Sequence, residues 1–151
     1  MRKVRILDKE FALVISSTEI QHAIYRIANQ LNADYRGKQP VFIVVLNGAF
    51  MFASDLIKNI YFDNEITFIK LSSYEGTEST GNVKKIFGLN IDIKNKSVII
   101  IEDIVDTGLT LQNTISQIEE YGPSDIKVAS LLLKPSALKV DVVVDYVGLE
   151  I

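Results

Sequence analysis

Val98-Ile99-Ile100-Ile101-Glu102-Asp103-Ile104-Val105-Asp106-Thr107-Gly108-Leu109-Thr110 is the stretch whose reading decides the fold. Its first four residues are all β-branched and leave no polar face. A strand apolar on both sides is one covered on both sides, as in a parallel sheet. Two adjacent carboxylates, Glu102 and Asp103, follow at its carboxyl end. Asp-Thr-Gly-Leu-Thr then opens a helix marked by Leu111, Ile115 and Ile118 and stopped by Gly122-Pro123. In open α/β sheets ligands bind beyond the carboxyl ends of the strands. Free N–H groups at a helix start, threonine hydroxyls and a glycine that permits close approach suit a phosphate. Carboxylates repel phosphate but accept hydrogen bonds from the vicinal hydroxyls of a sugar. The stretch therefore describes a site for a sugar phosphate.

The flanking sequence alternates strands and helices. Ser16 and Glu19 form a capping box, and Ile20, Ile24, Ile27 and Leu31 follow at helical spacing, with Gly37 past the end. His22 falls on the polar face of that helix and reads as a solvated side chain. Val41–Leu46 is an uninterrupted apolar run, broken by Asn47-Gly48, after which Ala49–Lys58 reads as a helix. Glu65–Leu71 alternates as a strand, Ser72–Gly81 reads as a mobile polar loop, and Val83–Leu89 as a short returning strand. Lys127–Leu133 reads as a further strand and Val140–Val147 as the last. Strands alternating with helices predict an α/β fold with a parallel sheet. With no repeat, low-complexity tract or linker, residues 1–151 read as a single domain.

Composition narrows the chemistry. The 151 residues hold 16 Lys and Arg against 19 Asp and Glu, no Cys and one His, for a net charge of −3. Disulfides, zinc fingers, Fe–S clusters and cysteine nucleophiles are excluded. A metal here would be a hard cation on oxygen ligands. No strong positive field recruits nucleic acid. The longest apolar runs, Val41–Leu46 and Val98–Ile101, fall far short of the ~18 residues of a membrane span. The expectation is a cytoplasmic protein with neither nucleic-acid nor membrane partners.

The decisive stretch resembles the 5-phosphoribosyl-1-pyrophosphate signature of the type I phosphoribosyltransferases. The resemblance covers essentially the whole chain and is closest to the bacterial hypoxanthine (hypoxanthine-guanine) enzymes. It runs through Tyr35-Arg36-Gly37-Lys38, Leu46-Asn47-Gly48-Ala49-Phe50, Ser72-Ser73-Tyr74 and Gly76-Thr77-Glu78-Ser79-Thr80-Gly81. Leu133-Lys134-Pro135 and Asp145-Tyr146-Val147-Gly148-Leu149-Glu150-Ile151 complete it. It implies a central, mostly parallel sheet flanked by helices, with a small partial hood from the N-terminal segment. The implied reaction is purine salvage: transfer of phosphoribosyl from 5-phosphoribosyl-1-pyrophosphate to hypoxanthine or guanine, giving IMP or GMP and pyrophosphate, with Mg2+ and in a homodimer or homotetramer.

By the same resemblance Glu102 and Asp103 hold the ribose hydroxyls and help place magnesium. Asp106 faces purine N7 as general base or acid, and Thr107, Gly108, Leu109 and Thr110 cradle the 5′-phosphate. Leu46-Asn47-Gly48 is the pyrophosphate loop, whose first peptide bond is typically cis in the family. Asn47 stands where many members have lysine. Ser73 and Tyr74 begin the flexible loop that closes over the reacting centre, and Lys134 reaches the purine O6. The family continues about thirty residues beyond Ile151 and carries there an aromatic that stacks on the purine, a magnesium-binding Asp and an Arg near pyrophosphate. The expectation is that these 151 residues keep the sugar-phosphate half of the site and bind the base weakly. Rival readings are a regulator that senses phosphoribosyl pyrophosphate or nucleotides through the same loop, a xanthine- or adenine-directed transferase, and a truncated, inactive transferase.

Overall fold

A computed structural model describes residues 3–73 and 84–151 of the chain. The apolar runs lie at its centre. Strands β3 (Val41–Leu46) and β6 (Ser97–Val105) pair in parallel, with Val41 beside Val98 and Val44 beside Ile101. Phe42, Val44, Ile99 and Ile101 point into one layer, against helices α1 (Ser17–Asp34) and α2 (Phe50–Ile57). Val41, Ile43, Val45, Val98 and Ile100 point into the other, beneath α3 (Leu109–Glu119). Both faces of these strands are buried, which is why neither run contains a polar residue.

The other strands are β4 (Glu65–Ser73), β5 (Lys84–Phe87), β7 (Asp125–Leu133) and β8 (Tyr146–Glu150). They complete a six-stranded sheet of order β5-β4-β3-β6-β7-β8. Every pairing is parallel except that of β5 with β4. The N-terminal segment expected as a hood is a separate antiparallel hairpin, β1 (Lys3–Ile6) with β2 (Lys9–Ala12). Among the described residues no helix is long and apolar enough to cross a membrane.

Helix α1 begins as its sequence predicts. Ser16 Oγ accepts from the N–H of Glu19, and the Glu19 carboxylate accepts from the N–H of Ser16 at 2.8 Å. Ala23, Ile24, Ile27, Ala28 and Leu31 are buried while His22 is exposed. Against the sheet, Tyr146 of β8 donates its hydroxyl to Asp34 at 2.8 Å. The Arg26 guanidinium bonds the carbonyl of Gly148 on the same edge strand.

Three of the differences from the sequence reading bear on the site. β6 does not end at Ile101 but runs to Val105, so Glu102 and Asp103 are strand residues. Pairing with β7 carries it on, through Glu102 with Ser130 and Ile104 with Leu132. Ser72 and Ser73 likewise belong to β4, held by their pairing with Lys85 and Lys84; residues 74–81 of the expected polar loop lie outside the described residues. The last strand is Tyr146–Glu150 rather than Val140–Val147. A chain leaving the carboxyl end of β7 must return to its middle before it can pair in parallel, and Tyr146 is the first residue to do so, beside Ala129. The alternating valines ahead of it pack under α3 instead, through Val142 and Val144.

Ile101 has no exposed surface. Its truncation to alanine is expected to lower the unfolding free energy by about 2–5 kcal/mol, whereas Ser16→Ala removes a cap worth about 1 kcal/mol. Urea titrations of the two variants check the ranking, and equal losses would contradict the layered core described here.

Candidate active site

Because β3, β6 and β7 are adjacent and parallel, their carboxyl ends open on one edge of the sheet. Three segments meet there: Asn47-Gly48 after β3, Asp106–Thr110 after β6 and Lys134 after β7. The Leu46–Asn47 peptide bond is cis, the conformation the resemblance implies. Gly48 lies against Asp103 so closely that a Cβ on it would overlap the Asp103 carboxylate. That contact joins the loop after β3 to the acid pair on β6, and only glycine leaves room for it.

The two carboxylates occupy different surroundings. Glu102 is 7% exposed, and Asp103 is half-buried. Burial first, and then the neighbouring Asp103 carboxylate, push the Glu102 carboxyl up to about 8. Around pH 7 it is therefore mostly protonated, able to donate one hydrogen bond and accept others.

Beyond Val105 the backbone turns into α3 through Gly108, whose φ of 78° is the left-handed conformation that glycine adopts freely. No side chain caps the helix. Among the described residues no acceptor meets the N–H of Thr107 or Gly108. Unpartnered donors at a helix N-terminus make a natural seat for an anion. A cleft of about 240 Å³ opens in front of them, lined by Gly48, Glu102, Asp103, Asp106, Thr107, Gly108 and Thr110. Leu71, Ile104 and Leu111 add apolar walls. The sequence reading missed these three, although all sit at a strand end or helix start beside the residues it singled out.

Lys134 does not line the cleft. Its ammonium stands 4.0 Å from Asp106 Oδ1, and both side chains are about half exposed, at 47% and 56%. Asn47 and Leu109 also lie outside the cleft lining, and the Leu109 side chain is 49% exposed. Ser73 is the last residue of β4, on the same edge of the sheet, and Tyr74 lies outside the described residues. Most of the residues chosen from the sequence are thus gathered at one place by three strand ends.

An open, mostly parallel α/β sheet whose central strand ends in an acid pair and an uncapped helix start defines a class of proteins that bind ligands at the carboxyl edge. Comparison with known proteins makes the class particular. The model of the phosphoribosyl transferase domain family matches residues 16–151. A hypoxanthine-guanine phosphoribosyltransferase of Staphylococcus aureus is 40% identical over 140 residues, 92% of this chain and 78% of that protein. A hypoxanthine-guanine-xanthine phosphoribosyltransferase of Tritrichomonas foetus is 36% identical over 149 residues, 98% of this chain and 81% of that protein. A crystal structure of a hypoxanthine-guanine phosphoribosyltransferase from Bacillus anthracis superposes with a TM-score of 0.81 at 37% identity, covering 91% of this chain and 80% of that one. The chain belongs to the phosphoribosyltransferase family.

Glu102 supplies a pH test. Between its ordinary value of 4.5 and about 8 the folded chain holds a proton that the unfolded chain has released. Stability therefore falls as pH rises through that window. Glu102→Gln keeps the neutral form at all pH, so in chelator its advantage over the wild type should grow by roughly 2–4 kcal/mol between about pH 5 and pH 8.5. Urea midpoints that change in parallel for both proteins would contradict the buried position of this acid.

Proposed function

We propose that the chain transfers a 5-phosphoribosyl group from 5-phosphoribosyl-1-pyrophosphate to N9 of hypoxanthine or guanine, yielding IMP or GMP and pyrophosphate. The observation that carries this reading is the pair formed by Lys134 and Asp106, 4.0 Å apart. O6 and N7 lie side by side on one edge of a 6-oxopurine. A donor-only ammonium suits O6, and a carboxylate suits a protonated N7. The loop from Asp106 to Thr110 then places a 5′-phosphate next to that base, and Glu102 and Asp103 lie where ribose hydroxyls would meet them.

In this mechanism the N9 lone pair forms the new bond to C1′ as the bond from C1′ to pyrophosphate breaks, and the leaving oxygen keeps the electron pair. Asp106 takes the N7 proton as N9 attacks, so the base arrives as its N7–H tautomer and leaves as an uncharged purine ring on the nucleotide. C1′ passes through an oxocarbenium-like state. The chain's contribution is to position the two partners and to face the developing positive charge with the Asp103 carboxylate. The N–H groups of Thr107 and Gly108 hold the 5′-phosphate, and the loop at Asn47-Gly48 offers backbone donors to pyrophosphate without the lysine charge that many relatives carry there.

The donors present fit Mg2+. Asp103 supplies hard carboxylate oxygens, Glu102 would supply them on releasing its proton to the arriving cation, and among the described residues no group of three or more metal-binding side chains forms a complete cage. Mg2+ is commonly held by one or two carboxylates with phosphate and water completing its shell. When bound, it neutralises the charge that accumulates on the departing pyrophosphate. A cytoplasmic location and assembly into a homodimer or homotetramer belong to the same reading. A purely sensing role has less support, because the similar proteins carry the names of transferases.

Asp106→Asn is expected to leave ribose 5-phosphate affinity unchanged while lowering turnover about 10²–10⁴-fold, the usual cost of a lost general base. Steady-state kinetics and calorimetry on the same preparation decide it, and unchanged turnover removes Asp106 from the reaction. Lys134→Ala should erode the preference for hypoxanthine over adenine by about tenfold or more, since the ammonium accepts nothing from a 6-amino group. Competition between the two bases reads this directly, and an identical preference in both proteins excludes Lys134 as the selector.

A further inference from the structure

The segment between β7 and β8 crosses the sheet without a long helix. One turn of 3-10 helix, Pro135–Ala137, is its only regular structure among the described residues. The segment nevertheless makes two specific contacts with the loop after β6. The N–H of Lys134 donates to the carbonyl of Val105 at 2.9 Å, and the N–H of Lys139 donates to the carbonyl of Thr107, also at 2.9 Å. In a trans peptide the C=O and the following N–H point in opposite directions. Holding the Val105 and Thr107 carbonyls on the side of this segment therefore turns the N–H groups of Asp106 and Gly108 the other way.

Side chains of the same segment close the back of the loop. A Cβ placed on Gly108 would stand 2.9 Å from Val142 Cγ2, 3.0 Å from Val140 Cγ2 and 3.2 Å from Leu138 Cδ2. Gly108 thus rests directly on an apolar wall, in the left-handed conformation that this wall accommodates only without a side chain. Valine is stiff at χ1, so the wall yields little. Val143, the residue after the two valines that touch the loop, is 68% exposed and turned away.

We infer that residues 134–142 are a positioning strap for the phosphate loop: the Lys139 backbone N–H and the Leu138–Val140–Val142 wall hold the Thr107–Gly108 peptide with its N–H toward a bound sugar phosphate. The inference rests on the reading of Asp106–Thr110 as the sugar-phosphate loop. It assigns function to a backbone donor and three apolar side chains, none of which touches the ligand. Because Lys134 begins the strap, the residue proposed to read the base and the loop proposed to hold the phosphate are parts of one hydrogen-bonded unit.

The test is ribose 5-phosphate binding by calorimetry, with thermal melting followed on the same samples. Lys139→Pro removes the N–H and is expected to weaken binding by about tenfold or more, the scale of a misaligned hydrogen bond to a charged group. Lys139→Ala, which keeps the N–H and loses only an exposed side chain, is expected to bind as the wild type does, as is Val143→Ala. The double variant Val140→Ala with Val142→Ala tests the wall without altering backbone donors, and it carries the test alone if Lys139→Pro fails to fold. Its expected result is weaker binding in a protein that still melts cooperatively. Wild-type affinity in folded Lys139→Pro, or in the double variant, overturns the strap's role. Failure of ribose 5-phosphate to bind the wild-type chain overturns instead the sugar-phosphate reading on which it rests.

Discussion

The parallel pairing of β3, β6 and β7 is the constraint on which the site depends, because it aligns three chain reversals on one edge of the sheet. Each strand supplies a different chemical element: the cis peptide and glycine of residues 46–48, the acid pair and helix start of residues 102–110, and the lysine at 134. None of these segments is near another in sequence. The register with Val44 beside Ile101 and Val105 beside Leu133 makes them neighbours. That register is in turn enforced by burial on both faces, since slipping β6 by one residue would exchange the contents of the two apolar layers.

Extending β6 past its apolar run has a cost that falls on Glu102. The strand carries this carboxyl into a position where it is 7% exposed and lies beside Asp103, and its affinity for a proton rises accordingly. Stability and function pull in opposite directions here. A neutral residue would suit the empty fold, while a pair of carboxylates suits a ligand rich in hydroxyls or a hard cation. Perturbed acids in a cleft frequently mark functional positions for this reason. The regular in-and-out alternation of the strand also fails nearby: Val105 joins the same layer as Ile100, an odd number of residues away, and Ile104 is left 41% exposed at the cleft.

The uncapped start of α3 follows a similar logic. A Ser or Asp at the position of Gly108 would satisfy the helix's own donors and stabilise it in isolation. Gly108 leaves them free and lets the backbone rest on the crossover from Leu138 to Val142, so the tertiary structure supplies the restraint that a local cap would have supplied. Local stability is given up at the start of α3, and a distant segment compensates for it.

Much of this was legible in the residues themselves. Strands β3 and β6, the capping box of α1, the polar position of His22 and the grouping of Glu102, Asp103 and Asp106–Thr110 follow from spacing and side-chain type, which are properties of short segments. The resemblance to phosphoribosyltransferases, carried by motifs along the chain, reached the family that the comparisons establish. What local pattern could not supply is where strands stop and what lies beside them. Val140–Val147 alternates like a strand, yet Val142 and Val144 pack beneath α3 ahead of the strand itself, because alternation reports one buried face and cannot say what buries it. The continuation of β6 through Glu102, the contact of Gly48 with Asp103 and the pairing of Lys134 with Asp106 all join residues distant in sequence. The sequence by itself determined the central strands and helices and the chemical character of the residues gathered with them, because each rests on residues close together along the chain. Only the tertiary structure decided which acid is buried and which segment holds the loop, because those depend on neighbours brought together by folding.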